Sequence, residues 1–390
     1  MNCRPALNPT TRRGLLIEPL DTLFFRDGRP FDPADRGRSG LPIPQTLAGM
    51  VRTYLMRLAG IESRDMHGLR DKESNSGRWL AHIAVQGPWL ARIPHEDSVE
   101  ELYFPAPAHL VEDESKKLEL LAPLSPSIHV PGWRSRSRTY DKMRPLMHLG
   151  DWQSRARPKG GYLTLAGITS VLNGEVPNLD RSNGTAEWVR PDCLFDHENR
   201  VGIGVNSDTH TTGDGQIYSA SHLRLREHIG FYAEVGWEEG APPFTFDDHL
   251  ERAFPPEGVI LPFGGEGRRV RVRPVDRINW PKVDDIPSPD QGGFTMLLIS
   301  PVIFHPRKTA EDPDRPVWQP PDNGILAGAA IPHPLAISGW DLAGDADNHW
   351  KPRPRPTRFA VPARAVYFWQ NGRHAKPDLK PPPWHNMAEK

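Results

Sequence analysis

The chain has 390 residues, which at roughly 100–200 residues per domain suggests two domains. Hydrophobic residues make up 37% and charged residues 25%, a globular balance that excludes wholesale disorder, and no run of about 18 apolar residues exists to span a bilayer. The formal net charge of −1 excludes the simplest nucleic-acid binder, one that is basic throughout. The opening residues MNCRPALNPTTRRG lack the apolar core of a signal peptide, and the only cysteines, Cys3 and Cys193, cannot build a disulfide framework; both point to the cytoplasm. Proline is the anomaly, with 43 residues where about 5% is usual. It predicts many irregular connections and surfaces ordered by partners.

In chain order, residues 14–31 read as strand, turn and strand. The run GLLIEPLDTLFF is largely apolar, and Asp27-Gly28 is the residue pair of a primed two-residue turn, bracketed by Arg26 and Arg29. Leu47, Met50, Val51, Tyr54, Leu55 and Leu58 then recur at helical spacing and predict a helix, with Thr46 as N-cap and Gly60 just past its end. Gly49 lies in its first turns, where glycine costs about 1 kcal/mol relative to alanine, so close approach of something to the backbone is expected. Strand, turn, strand and helix favour an α+β domain over a doubly wound one.

Residues 66–160 have weak periodicity and read as a large, loop-rich elaboration of the first domain. Within them Arg134, Arg136 and Arg138 open a basic run that continues to Lys159 against only Asp141 and Asp151. Acidic stretches run from Glu96 to Glu114 and from Glu238 to Glu251, while residues 351–364 carry five cations and no acid. Such segregation suits one face on phosphate and another on a basic partner; solvated loops are the plainer explanation for any single run. ENRVGIGV (198–205), IYSASHLRLR and IGFYAEVGW read as strands of an antiparallel meander over 201–237. GVILPFGGEGRRVRVRPV follows as a strand, a glycine-rich turn and a strand in which valine and arginine alternate. FAVPARAVYFW (359–369) reads as one last strand before a loose tail.

The most function-like feature is that turn, Gly264-Gly265-Glu266-Gly267-Arg268-Arg269. Its glycines allow close backbone approach and present N–H groups to an anion, and its arginines supply planar forks for phosphate. It lacks the Lys-Ser/Thr of a Walker loop and the spacing of a dinucleotide fingerprint, so a phosphate loop and a plain tight hairpin both remain open. No CxxC, HExxH or GxSxG occurs, and no cofactor or metal is expected. His210, in the polar loop NSDTHTTGDG, is a candidate general base, although a solvated loop histidine is the commoner case. Asp21, Asp27 and Asp32 are explained by turn and cap roles.

The segments IEPLDTLFFRDGRPF, PIPQTLAGMVRT, ENRVGI with GQIYS and HLRL, LPFGGEGRRV and VPARAVYFW occur in the same order as in one family. On these motifs, spread from Leu16 to Trp369, the chain resembles the third subunit of the Cmr (type III-B) CRISPR effectors, a RAMP protein. Residues 66 to about 145 add little to the match, and Ala363-Arg364 departs mildly from the family's small residue pair. The resemblance implies two ferredoxin-like (RRM-like) domains, residues 1–190 with the insertion at about 66–160 and residues 191–390 carrying the glycine-rich turn. It implies a non-catalytic subunit that holds the 5′ handle of the CRISPR RNA in antiviral defence. The implied partners are the large polymerase-like subunit and the neighbouring backbone RAMP subunit, with target RNA met indirectly. RNA contact is then expected at Gly264, Gly265, Gly267, Arg268 and Arg269, and at Arg26, Arg29, Gln45, Thr46 and Gly49. Arg134, Arg136 and Arg138 are further candidates, and the loop holding His210 would tip a thumb-like hairpin. The alternative is a metal-independent RAMP endoribonuclease that processes precursor RNA with His210 as base.

Overall fold

The computed structural model describes residues 11–26, 37–60, 83–95, 98–123, 143–147, 156–179, 186–205, 211–237, 252–280, 293–304, 325–341 and 353–370. The strands of the first half are β1 (Thr11–Pro19), β2 (Gly37–Arg38), β3 (Ile83–Arg92), β4 (Glu101–Pro105), β5 (Leu110–Glu112), β6 (Leu118–Leu120), β7 (Ala122–Pro123), β8 (Leu146–Met147), β9 (Arg157–Pro158), β10 (Tyr162–Leu163) and β11 (Trp188–Val189). Those of the second half are β12 (Phe195–Val205), β13 (Thr212–Leu225), β14 (Ile229–Trp237), β15 (Val259–Pro262), β16 (Arg269–Val275), β17 (Gly293–Leu297), β18 (Ile325–Ala330), β19 (Leu335–Ile337), β20 (Trp340–Asp341), β21 (Arg353–Pro354), β22 (Arg358–Ala360) and β23 (Val366–Gln370). With helices α1 (Pro44–Leu58) and α2 (Leu165–Leu172), this is an α+β fold dominated by strands.

Eight strands form the main sheet in the order β11-β10-β4-β3-β14-β1-β16-β15, every neighbour antiparallel. Alternation along β1 explains why both faces are covered. Leu15 and Ile17 pack with Leu47, Val51 and Leu55 of α1, whereas Leu16 packs with Trp89, Phe104 and Ile168 of α2 on the other face. At roughly 25 cal/mol per Å2 of apolar surface removed from water, these two layers are the main source of stability.

Helix α1 starts two residues before the expected N-cap. Pro44 opens the first turn, where its fixed φ suits a helix, and Ile43 is the capping position without a side-chain bond. Thr46 is inside the helix, its N–H donating to the Ile43 carbonyl at 3.0 Å. Gly60, at φ +70°, follows the helix end as expected, but Leu58 is 56% exposed and Met56 takes its place in the core.

Further expectations are corrected. Residues 66–160 hold two strands of the main sheet, β3 and β4. Their periodicity is broken because Gly87 and Pro88 insert one extra residue between the partners of Tyr232 and Glu234. Ile83 and Val85 face α1 before that bulge and Leu90 after it, so the apolar phase slips by one. The region 201–237 is not a meander: β12 and β13 pair with each other, but β14 lies between β1 and β3. Residues 230–236 are buried throughout, as a strand covered on both faces must be. Finally, 359–369 is two strands, β22 and β23, separated by a turn with Arg364 at φ +82°. Arg364 donates to the carbonyls of Ala106 (2.6 Å) and Lys159 (3.1 Å), which fastens the β17-β23-β18 sheet to the body. Among the described residues 20–26 that follow β1, one bridge, Leu23 with Leu223, stands where the second strand was expected; Asp27-Gly28 lies outside the described residues.

Candidate nucleic-acid interface

The glycine-rich turn joins β15 to β16, whose register runs from Val259 opposite Val272 to Pro262 opposite Arg269. Val270 and Val272 are buried and Arg269 and Arg271 exposed, the alternation expected of a half-buried strand. Phe263 anchors the turn from below, its ring 5.0 Å from that of Phe25 and 6.4 Å from that of Phe231. The Phe263 N–H donates to the Arg268 carbonyl (2.9 Å) and the Arg268 N–H to the Gly265 carbonyl (3.2 Å). Gly264, Glu266 and Gly267 have left-handed backbones, at φ +85°, +55° and +65°.

Two of the three glycines answer to the chain itself. The Gly265 N–H donates to the Phe24 carbonyl at 2.8 Å, and a Cβ on Gly264 would lie 2.5 Å from that same oxygen. Gly267, by contrast, is exposed and a Cβ there would touch nothing within 4 Å. The N–H groups of Glu266 and Gly267 have no hydrogen-bond partner among the described residues.

A charged cluster borders the turn. Alternation places Glu198, Arg200, His222 and Arg224 on one face of the β12-β13 hairpin, near its base. Asp21, just after β1, accepts from Arg268 (3.1 Å) and Arg224 (3.2 Å) and lies 3.5 Å from Arg200. Glu198 takes both Arg200 (2.7 Å) and Arg224 (2.5 Å). Hydrogen bonds from Arg200 and then Arg224 hold the Glu198 carboxyl below its ordinary range. Burial pushes the Asp21 pKa upward, but the Thr22 N–H, Arg224 and Arg200 outweigh it and hold the carboxyl below its ordinary value. Arg268 is only 20% exposed, and its Nε is enclosed without a partner among the described residues. His222 is buried, with Nδ1 3.4 Å from the Thr22 hydroxyl and Nε2 3.7 Å from the Glu266 carboxylate. Burial, then Arg268 and Arg200, lowers its pKa below the ordinary value.

The residues expected to meet RNA fall into two linked groups. The turn rests on Phe24, and the next residue, Phe25, donates to the Ser39 hydroxyl (2.8 Å) and accepts from the Gly40 N–H (3.1 Å), four residues before α1. Arg26 follows, exposed. Gln45 is half-buried against Gly339, Thr46 is half-buried, and Gly49 is exposed with open space where a Cβ would stand. Arg29, Arg134, Arg136, Arg138 and His210 lie outside the described residues. Sequence reasoning missed Glu198, Arg200, His222 and Arg224; the signal was their two-residue spacing within paired strands. It read Asp21 as a turn residue, whereas it is the hub of three arginines. Among the described residues no group of three or more His, Cys, Asp or Glu is placed to hold a metal, and no helix is long and apolar enough to cross a membrane.

The sequence model of a family described as CRISPR-associated protein (Cas_Cmr3) matches residues 15–385. No curated protein matches the chain. Among solved structures, it is similar to a chain of a type III-B Cmr-beta complex bound to cognate target RNA and AMPPnP, with 16% identity over 91% of this chain and 86% of that one, at a TM-score of 0.47. It is also similar to a chain of a Csm1-Csm4 cassette in complex with pppApA, with 11% identity over 93% of this chain and 88% of that one, at a TM-score of 0.36.

Proposed function

The chain belongs to the CRISPR-associated Cas_Cmr3 family, and from that premise we propose that it is the non-catalytic subunit of a type III-B effector complex that holds the 5′ handle of the CRISPR RNA. Family membership supports a role in a CRISPR effector complex. The finer reading gives it two ferredoxin-like domains, and docking partners in the large polymerase-like subunit and the neighbouring backbone RAMP subunit. The observation that carries the RNA reading is the outer half of the glycine-rich turn. N–H groups at Glu266 and Gly267, without a partner among the described residues, stand beside exposed Arg269 and the partly exposed guanidinium of Arg268. Backbone N–H groups in a left-handed turn form a concave seat for an anion, and a guanidinium fork beside it suits phosphate. Single-stranded RNA held by its backbone leaves its bases free for other contacts.

The test is filter binding of a repeat-derived handle RNA across a salt series. Arg268→Ala with Arg269→Ala should weaken binding and flatten the slope of log affinity against log salt by about 1.4, at about 0.7 for each phosphate of a single strand that is no longer neutralised. An unchanged affinity and slope would remove the turn from the RNA site. Incubating the purified chain with a repeat-containing RNA in the absence of metal separates this reading from an endoribonuclease. Specific cleavage that disappears in His210→Ala would replace it.

A further inference from the structure

His109 and His222 are the buried histidines among the described residues, and His222 stands beside the glycine-rich turn. Its ring packs on that of Phe24, with centroids 5.1 Å apart, and the carbonyl of the same Phe24 accepts from the Gly265 N–H. Its Nδ1 lies 3.4 Å from the Thr22 hydroxyl and its Nε2 lies 3.7 Å from the Glu266 carboxylate. Glu266 is the only acid in the turn 264–269, and its side chain is exposed. Its backbone, at φ +55°, carries one of the two N–H groups that the turn offers to an anion. The imidazole thus meets both the residue that holds the turn down and the acid at its tip.

Every element packed against the ring brings a charged or polar group. On β13 itself Arg224 shares the face of His222, and β12 brings Glu198, directly opposite, and Arg200. The residues after β1 bring the Thr22 hydroxyl, and Asp21 through its pairs with Arg268, Arg224 and Arg200. The turn brings Glu266 and Arg268. Burial, then Arg268 and Arg200, disfavour the imidazolium, whereas Glu266 and Glu198 favour it. Arg268 is therefore the leading charge against a proton on His222 and also a phosphate fork of the turn. An anion seated on the turn offsets that charge and adds its own, and both changes favour the imidazolium. Without the proton, the anion and the Glu266 carboxylate repel each other across the seat; with it, the carboxylate has a cation to pair with.

We propose that the turn binds RNA phosphate together with a proton, and that His222 is where the proton is held. The carboxylate facing Nε2 favours the tautomer with hydrogen there, so in the neutral ring Nδ1 accepts from the Thr22 hydroxyl. The incoming proton comes from solvent and bonds to Nδ1, and the Thr22 hydroxyl turns from donor to acceptor. Nε2–H then holds the Glu266 carboxylate while phosphate takes the outer N–H groups. Because the RNA-bound chain holds this proton more tightly than the free one, affinity rises as pH falls. One proton limits that rise to about tenfold per pH unit. His222 is buried and touches no phosphate itself; it is a positioning residue acting through Glu266. The inference rests on the reading that the turn seats RNA phosphate, and adds that its hold on RNA is regulated by pH.

The full-length chain is titrated with radiolabelled handle RNA by filter binding at fixed salt, from about pH 7.5 to about pH 6, around the ordinary histidine value. Wild type should bind about 3- to 30-fold more tightly at the lower pH, the upper figure being the one-proton limit. Calorimetry in two buffers of different ionisation heat should show net proton uptake on binding, up to about one per chain. His222→Gln, uncharged throughout, should lose both the slope and the uptake. Glu266→Gln, a change to an exposed side chain, should bind more tightly near neutral pH and show a flatter slope. A flat wild-type profile, or a slope kept in full by either variant, overturns the coupling; should His222→Gln not fold, Glu266→Gln decides alone. Arg268→Ala with Arg269→Ala in the same series keeps the two readings apart. Weakened binding there beside a flat wild-type profile sinks only the coupling, whereas unweakened binding there sinks the phosphate seat and the coupling with it.

Discussion

At Gly264 a methyl group would lie 2.5 Å from the Phe24 carbonyl oxygen, on a backbone at φ +85°. At Gly49, on the exposed side of α1, a methyl group would meet nothing within 4 Å, and the backbone is ordinary helix. The turn therefore needs its first glycine for the fold, whether or not RNA is present. The helix has no internal use for Gly49, and a helical glycine without a packing reason is the one that leaves room for something outside the chain. A glycine-rich loop is the louder signal in the sequence, yet the quieter one in the helix asks more directly for a ligand.

Gly264→Ala is the strongest way to break this contrast. The left-handed backbone and the clash with a main-chain oxygen together should cost about 2–4 kcal/mol. Urea denaturation should show a lower midpoint at unchanged slope. A loss below about 0.5 kcal/mol would mean that the turn is not held against Phe24, and that its glycines serve a ligand after all.

Much of that turn was legible because its determinants are local. Valines alternating with arginines, and three glycines between two such strands, lie within one short segment. Helix α1 was legible for the same reason, apart from its start, where Pro44 displaced the expected cap at Thr46. The charged cluster was not legible, because Arg268 and Asp21 are 247 residues apart and only the sheet brings them together. The placement of β14 failed for a related reason. Its residues read as strand, but no local feature says that it pairs with β1 and β3 instead of the strand just before it. In β3 the signal was present and broken in two by the Gly87-Pro88 bulge.

The second prediction comes from the helix side of the comparison. Gly49→Ala should stabilise the chain by about 0.5–1 kcal/mol, since alanine gains helix propensity where nothing is displaced. If RNA approaches α1 closely, the same variant should bind handle RNA more weakly while melting at a higher temperature, a pairing that simple destabilisation cannot produce. Raised stability with unchanged RNA affinity would leave Gly49 without a ligand role.

The smallest effect on stability, and the sharpest on charge, is expected at Asp21. It pairs with Arg268, Arg224 and Arg200 while itself half exposed, and ion pairs open to solvent contribute little, so Asp21→Asn should change stability by no more than about 1 kcal/mol. Its carboxyl has a folded pKa below the ordinary value. The stability it adds is therefore fully present above about pH 4 and is lost only as pH falls through that depressed value, so wild type and Asp21→Asn should converge in acid. The effect on RNA runs the other way. Removing the carboxylate frees Arg268 beside the turn, while Arg200 and Arg224 keep Glu198, so handle affinity should rise and its salt dependence steepen, read in the same salt series. A fall in affinity would instead show that Asp21 positions Arg268 for phosphate, and that the pair acts as one unit.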